Sequence, residues 1–372
     1  MAFIHQIDGW PQLTWDDGAL AAPLAQVRHK QGRLLGRMES LGFDLLAEAS
    51  LAVLTSDVVE SSAIEGETLD SQEVRSSIAR RLGLDAGGLP MASRDVEGIV
   101  EMMLDATGKF DEPLSNERLC AWHAALFPTG RSGMTPIAVG RWRPKQAGAM
   151  QVVSGPFGHE RVHFTAPDAE RLDIEMQAFI DWFNRPLAVD PVLKAGIAHF
   201  WFVTIHPFDD GNGRIARAIA DMSLARADGT KDRFYSMSSQ IAAERKQYYQ
   251  ELEFAQRGDL NVTRWLAWFL DCLDRALDSA DDILSAVLRK ARLWQCINRL
   301  PVNDRQRLII NRLLDDFHGF LTTSKYARLA KCSSDTALRD IRDLLSRGIL
   351  VQNPGGGRST NYRLAEPEEI VG

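Results

Sequence analysis

The residues whose types and spacing could do chemistry lie in one run, residues 206–217, which reads His-Pro-Phe-Asp-Asp-Gly-Asn-Gly-Arg-Ile-Ala-Arg. Asp, Gly and Asn tolerate the backbone angles that let successive N–H groups converge on one point, so the turn reads as an anion cup. The N–H groups of Gly211, Asn212 and Gly213 would stand at the positive end of a helix beginning near Gly213, where the dipole and the unpaired donors both favour a phosphate. Arg214 and Arg217, three apart, share a face of that helix and can clamp further phosphates through forked hydrogen bonds. Asp210 offers a hard oxygen that suits Mg2+ bridging a polyphosphate. His206, at the mouth of the turn, can accept a proton near neutral pH. Taken singly, each feature has a plainer explanation: a Gly-Asn-Gly turn is usually only a turn, and arginines three apart are usually a solvated face. Together they describe phosphate-ester transfer from a nucleotide.

Rigid elements must hold such a turn. Asp190-Pro191 is a helix-start signal, and the apolar run that follows to Ile205 is long enough for a buried helix. Upstream, residues 1–17 read as an irregular lead-in, followed by long helical patterns at 18–40 and 43–64. The second of these ends at Gly66, a good helix stop. Shorter helical stretches at 71–82, 93–106 and 115–126 each open on an N-cap residue. From 140 to 167 the chain turns Gly- and Pro-rich with alternating residues, which is a hairpin signal. Downstream of the cup, helices are expected to Asp228-Gly229, at 241–255, and from 263 to 284 and on toward 300, with Trp265, Trp268 and Phe269 on an apolar face.

The nine specified positions in 206–217 resemble the signature of the Fic (filamentation induced by cAMP) family, His-Pro-Phe-x-Asp/Glu-Gly-Asn-Gly-Arg-x-x-Arg, with no departure. Ser61-x-x-x-Glu65-Gly66 likewise resembles the inhibitory Ser/Thr-x-x-x-Glu-Gly/Asn motif of that family. The resemblance covers roughly residues 44–285. It implies a mainly α fold, in which Glu65 pairs with Arg217 and so keeps ATP in a pose unsuited to attack on its α-phosphate. It implies that Asp209, Gly211, Asn212, Gly213, Arg214 and Arg217, with Glu65, surround the nucleotide, that Asp210 carries Mg2+, and that His206 is the base. A Tyr-Tyr pair, here Tyr248 and Tyr249, and a polar residue seven beyond, here Gln256 rather than the common Asn, would contact the nucleoside. A hairpin flap with strand residues Val152, Val153, His163, Phe164 and Thr165 would align a target's backbone beside the site. The implied activity is protein adenylyltransfer, AMP passing from MgATP to a Ser, Thr or Tyr hydroxyl of a target protein or of the chain itself. Two alternatives stay open: removal of AMP or transfer of another phosphate-containing group by the same turn, and a DNA-binding regulator that uses the core as a nucleotide sensor.

The hairpin also contains His159-Glu160-Arg161-Val162-His163, the zinc-protease pattern HExxH. That pattern works on a helix, where histidines four apart rise about 6 Å and meet at one metal. On a strand they lie roughly 13 Å apart. Gly158 and the alternation after it favour strand, and no third ligand is evident, so the metalloprotease reading is rejected.

With 45% hydrophobic and 25% charged residues, 372 residues suffice for two or three ordinary globular domains, and a net charge of −7 argues against a surface coated for nucleic acid or acidic membrane. Four scattered cysteines without a CxxC pair suggest a reduced, cytoplasmic chain, and no leader or membrane-spanning run is evident. The expected division is an N-terminal helical region with the inhibitory helix (1–68), a core with its flap at 140–167 (69–300), and a winged helix-turn-helix (301–372). Residues 301–363 hold eleven Lys/Arg against six Asp/Glu, a net of +5 in an acidic chain. Arg339 and Arg342 on the expected recognition helix, with Arg358 at the wing tip, could meet DNA phosphates. Protein docking or a homodimer contact through this module is equally open.

Overall fold

A computed structural model describes residues 2–39, 43–84, 89–145, 148–155, 161–186, 189–297, 301–314, 317, 319–354, 360–366 and 369–370. The chain divides into two compact units, the first formed by residues 1–84 and 90–282, the second chiefly by residues 283–372.

The first unit is mainly helical. After a 3-10 turn at Ile4–Gln6 come α1 (Asp17–Glu39), α2 (Phe43–Ile64), α3 (Ser71–Arg81), α4 (Arg94–Gly108) and α5 (Asn116–Leu126). Two short hairpins follow, β1 (Arg131–Ser132) with β2 (Thr135–Pro136), and β3 (Gln151–Ser154) with β4 (Arg161–Thr165). Then come α6 (Leu172–Asn184), α7 (Pro191–Ile205), α8 (Asn212–Asp228), α9 (Met237–Ala243), α10 (Arg245–Gln256) and α11 (Thr263–Ile297), the last belonging to this unit up to residue 282. No described helix is long and apolar enough to cross a membrane.

The centre of the unit is α7 packed along α8. Asp190 caps α7 by accepting the Val192 N–H at 2.8 Å, and Pro191 occupies the first turn, where its missing N–H costs nothing. Thirteen of the fifteen α7 residues are buried, so the helix is apolar all round and needs covering on every side. α8 supplies one side, α6 another, and Trp265 of α11 donates its indole N–H to the Gly196 carbonyl at 2.8 Å on a third. α2 packs against α3, α4, α8 and α9, which brings its last turn to the start of α8. The β3–β4 ladder pairs Val152 with Phe164 and Val153 with Val162, the register shifting between Val152 and Val153. Among the described residues of this hairpin only Phe164 is fully buried, and Val153 is exposed.

α6 was not legible from sequence. Arg171 at its N-cap makes no side-chain capping bond, so the usual start signal is missing, although its apolar face of Leu172, Met176, Phe179, Ile180 and Phe183 is buried. His163 lies on β4, and His159 and Glu160 fall outside the described residues; among the described residues no group of three or more His, Cys, Asp or Glu stands ready to hold a metal.

The second unit contains α12 (Asp304–Leu314), α13 (Thr323–Leu329), α14 (Ser334–Ser346) and the antiparallel pair β5 (Leu350–Gln352) and β6 (Tyr362–Leu364), with a further bridge from Leu321 to Tyr362. Ile309, Ile310, Tyr326, Ile341, Leu344 and Leu350 form its own apolar core. Arg339 and Arg342 are exposed on α14, and Arg358 lies outside the described residues.

The scaffold behind the site relies on one close approach. A methyl group at Gly98 of α4 would lie 1.8 Å from the Ala125 carbonyl oxygen of α5. Gly98→Ala is therefore expected to destabilise the chain by about 2–3 kcal/mol. Gly108→Ala, at the open end of the same helix, should be neutral or stabilising by up to about 1 kcal/mol. Urea unfolding midpoints of the two variants check the difference.

Candidate active site

α7 ends where His206 takes the left-handed conformation, φ 53° and ψ 58°, while its N–H still bonds to the Phe202 carbonyl at 3.1 Å. Such a non-glycine residue is uncommon, and the turn it makes throws the chain off the helix axis toward α8. Six residues then close the gap to Asn212. Asn212, buried, staples this turn twice: its Oδ1 accepts the Phe208 N–H at 3.0 Å and its Nδ2 donates to the Phe208 carbonyl at 2.9 Å. Gly211 adopts φ 79°, and a Cβ there would lie 2.9 Å from the Phe127 ring, so both backbone angle and space call for glycine.

The His206 ring donates from Nδ1 to the Val203 carbonyl at 3.2 Å, which leaves Nε2 as the unprotonated nitrogen. Burial lowers its pKa below the usual 6.5, and the nearby Arg143 guanidinium pushes the same way, so the ring is neutral at pH 7 and able to take a proton. Arg143, itself buried, fixes this end. Its backbone N–H donates to the Pro207 carbonyl and its Nε to the His206 carbonyl, each at 2.9 Å, while Nη2 reaches the Pro167 carbonyl just beyond β4. Nothing in the Gly-Arg-Trp-Arg stretch before the hairpin distinguishes Arg143 from a surface arginine.

The two signature carboxylates are engaged by the β1–β2 hairpin. Asp209 Oδ2 accepts the Ala138 N–H at 2.8 Å, and Ser132 donates its hydroxyl to Asp210 Oδ2. Asp210 Oδ1 also accepts the Gly211 N–H at 2.6 Å, so that one amide of the expected cup serves the turn itself. Asp210 remains part-exposed, and a single carboxylate suits a cation that arrives with water and substrate phosphates as its other ligands.

At the head of α8 a carboxylate already sits where an anion belongs. Glu65 Oε1 accepts from Arg217 Nη2 at 2.8 Å and lies so close to Gly213 that a Cβ there would be 2.1 Å away. Arg217 is 2% exposed, and its Nε and Nη2 also donate to the Ser61 hydroxyl and carbonyl, at 2.9 and 2.8 Å. Burial works against its charge, yet Glu65 more than compensates and raises its pKa. Glu65 directly follows α2, where its charge opposes that helix's dipole, but it meets the positive end of α8. Arg214, also buried, donates from Nη1 to Glu67 Oε2 at 2.5 Å and lies 5.1 Å over the Phe127 ring. Glu67, Thr68, Phe127, Arg131, Ser132 and Arg214 line part of a cavity of about 420 Å³. Glu67 carries no sequence mark.

The tyrosine pair divides. Tyr249 is exposed, its hydroxyl 3.3 Å from the Ile64 carbonyl and 3.4 Å from Glu65 Oε2. Tyr248 is a core residue, buried, bonded through its hydroxyl to His199 Nε2 at 2.9 Å and packed against Trp265 and Trp268. Gln256 is buried too, and its amide donates to the Thr204 hydroxyl at 3.3 Å. Neighbouring helix positions point about 100° apart, which sets the buried Tyr248 and the exposed Tyr249 on different faces of α10. The hairpin residue His163 pairs through Nδ1 with Glu253 of α10 at 2.7 Å and through Nε2 with the Ser154 hydroxyl at 2.6 Å.

Phe208 of the signature stacks on His123, ring centroids 4.1 Å apart, and the His123 Nδ1 accepts the Gly140 N–H at 3.0 Å. Burial pushes the His123 pKa down to about 4. In an imidazole NMR titration His123 should stay neutral, with the proton on Nε2, until the pH falls to about 4, far below a surface histidine. Titration near pH 6.5 would contradict the packing described.

Residues 113–224 match the Fic/DOC family, and residues 3–84 match a domain of unknown function, DUF4172. The chain is 28% identical over 232 residues to the protein adenylyltransferase Fic of Drosophila willistoni, covering 59% of this chain and 40% of that one. It is 25% identical over 244 residues to the protein adenylyltransferase fic-1 of Caenorhabditis elegans, covering 61% and 44%. It thus spans about two-fifths of the length of these curated relatives. A crystal structure of a Fic family protein from Desulfovibrio desulfuricans G20 shares the fold, with a TM-score of 0.55 at 20% identity over 96% of this chain and 98% of that one.

Proposed function

We propose that this chain, which carries a Fic/DOC domain over residues 113–224, is a protein adenylyltransferase held in check by its own Glu65. It moves AMP from ATP to a Ser, Thr or Tyr hydroxyl of a target protein or of itself. The observation that carries the reading is the Glu65 carboxylate resting on Arg217 and against Gly213, which marks the head of α8 as a place built for an anion.

In the reaction, His206 Nε2 takes the proton of the target hydroxyl. The hydroxyl oxygen bonds to the α-phosphorus of ATP as the bond from that phosphorus to the bridging oxygen breaks, and pyrophosphate leaves. Arg214, Arg217 and the N–H groups at the start of α8 stabilise the charge on the leaving group, and positioning supplies most of the rate. Asp210 is the residue that would hold Mg2+, which when bound with ATP supplies further neutralisation of the polyphosphate. Tyr249, beside Glu65, is the tyrosine suited to a nucleoside contact. The β3–β4 hairpin would align the target, its base tied to His206 through Arg143. While Glu65 occupies Arg217, the guanidinium cannot hold the far phosphates, and ATP settles with its α-phosphorus out of line.

Glu65→Gly is expected to raise transfer of label from α-labelled ATP with Mg2+ to protein by roughly 10- to 100-fold. His206→Ala in the same background should abolish it. The acid limb of the rate should fall below the ordinary histidine pKa of 6.5, since burial favours the neutral ring. Absence of protein-bound label in every background would defeat the proposal.

The second unit favours an additional role. Its three helices, short antiparallel pair and exposed Arg339 and Arg342 suit a winged helix-turn-helix that docks on duplex DNA. Binding to duplex should then weaken steeply with salt and lose about one unit of salt slope in Arg339→Ala. No duplex binding at low salt would point instead to docking on protein.

A further inference from the structure

Glu65 accounts for only one of the two signature arginines. Arg214 is equally withdrawn from solvent, its side chain 5% exposed, and it too is occupied. We propose that Glu67 is a second carboxylate lock, holding Arg214 in the place of the departing pyrophosphate independently of Glu65 on Arg217; this rests on the adenylyltransferase reading above.

The turn after α2 is shaped for the double contact. Gly66 takes φ 87°, and the Glu67 N–H returns to the Ser62 carbonyl at 3.1 Å, which fixes the backbone between the two glutamates. Arginines three apart on one helix face stand about 5–6 Å apart at their Cβ atoms, within reach of the two carboxylates that flank Gly66. Two carboxylates therefore meet two guanidinium groups in parallel, Glu65 to Arg217 at 2.8 Å and Glu67 to Arg214 at 2.5 Å.

The locks differ in strength and consequence. Arg217 is also held by Ser61, and Glu65 lies deep against Gly213. The Glu67 side chain is 46% exposed and faces the cavity of about 420 Å³ that Arg131 and Ser132 also line. Burial of its inner part raises its carboxyl pKa even with Arg214 beside it. An incoming polyphosphate can thus displace Glu67 without desolvating Arg214 anew, since the protein and the Phe127 ring already enclose it. Glu65 controls where the α-phosphorus lies. Glu67 competes for the far end of ATP and so controls affinity.

The test measures ATP affinity by calorimetry, and initial rates with α-labelled ATP and Mg2+, for the wild type, Glu65→Gly, Glu67→Gln and the double variant. Adding Glu67→Gln to Glu65→Gly should lower Kd and KM for ATP about 5- to 20-fold. kcat should change by less than about twofold, because a competitor of the ground state has been removed. Glu67→Gln alone should also tighten ATP, Glu65 still being in place. In an Arg214→Ala background the gain should vanish, which a general loosening of the turn would not produce. Unchanged Kd on Glu67→Gln, or a gain that survives Arg214→Ala, overturns the proposal. If Glu65→Gly gives no label, the adenylyltransferase reading fails, while the calorimetric cycle of Glu67 and Arg214 still decides whether the second lock exists.

Discussion

A guanidinium cannot shed its proton, and Arg217 is 2% exposed. Leaving such a charge buried and unpaired costs several kcal/mol, so the fold must bring acceptors to it. It does so with the last turn of α2, through the hydroxyl and carbonyl of Ser61 and the carboxylate of Glu65. Much else follows from that requirement. α2 must pack where its end meets the start of α8, Gly213 must lack a side chain so that the carboxylate can approach, and Gly66 must turn the chain away immediately afterwards. The result is an anion site whose occupant in this structure is a side chain.

The two ends of the site are held by different parts of the chain. At the head of α8, α2 and the turn after it supply the partners of Arg217 and Arg214. Around His206, Arg143 ties the first two carbonyls of the 206–217 run to the segment leaving β4, and the β1–β2 hairpin with the segment after it engages Asp210 and Asp209. A change at the end of α2 can therefore alter anion binding without moving the imidazole. A change at the flap reaches His206 through buried hydrogen bonds rather than through α8.

Legibility tracked how local each signal was. The capped start of α7, its apolar run and the glycines of the turn are properties of short windows, and the structure has them where the pattern required. α6 lacked a capping bond and was missed. Tyr248 and Tyr249 are indistinguishable as neighbours in a helix, and only packing against Trp265 and Trp268 assigns one of them to the interior. Arg143 and Glu67 stand in stretches that mark a hairpin and a helix end and nothing more.

From residue order alone came the turn's capacity to gather amides, arginines, a carboxylate and an imidazole, because backbone freedom and side-chain chemistry are written locally. The resemblance implied Glu65 on Arg217, and tertiary structure added Glu67 on Arg214. Glu65 and Glu67 meet Arg217 and Arg214 across about 150 residues of chain, a pairing set by the burial of α8 and by the approach of α2 to its positive end.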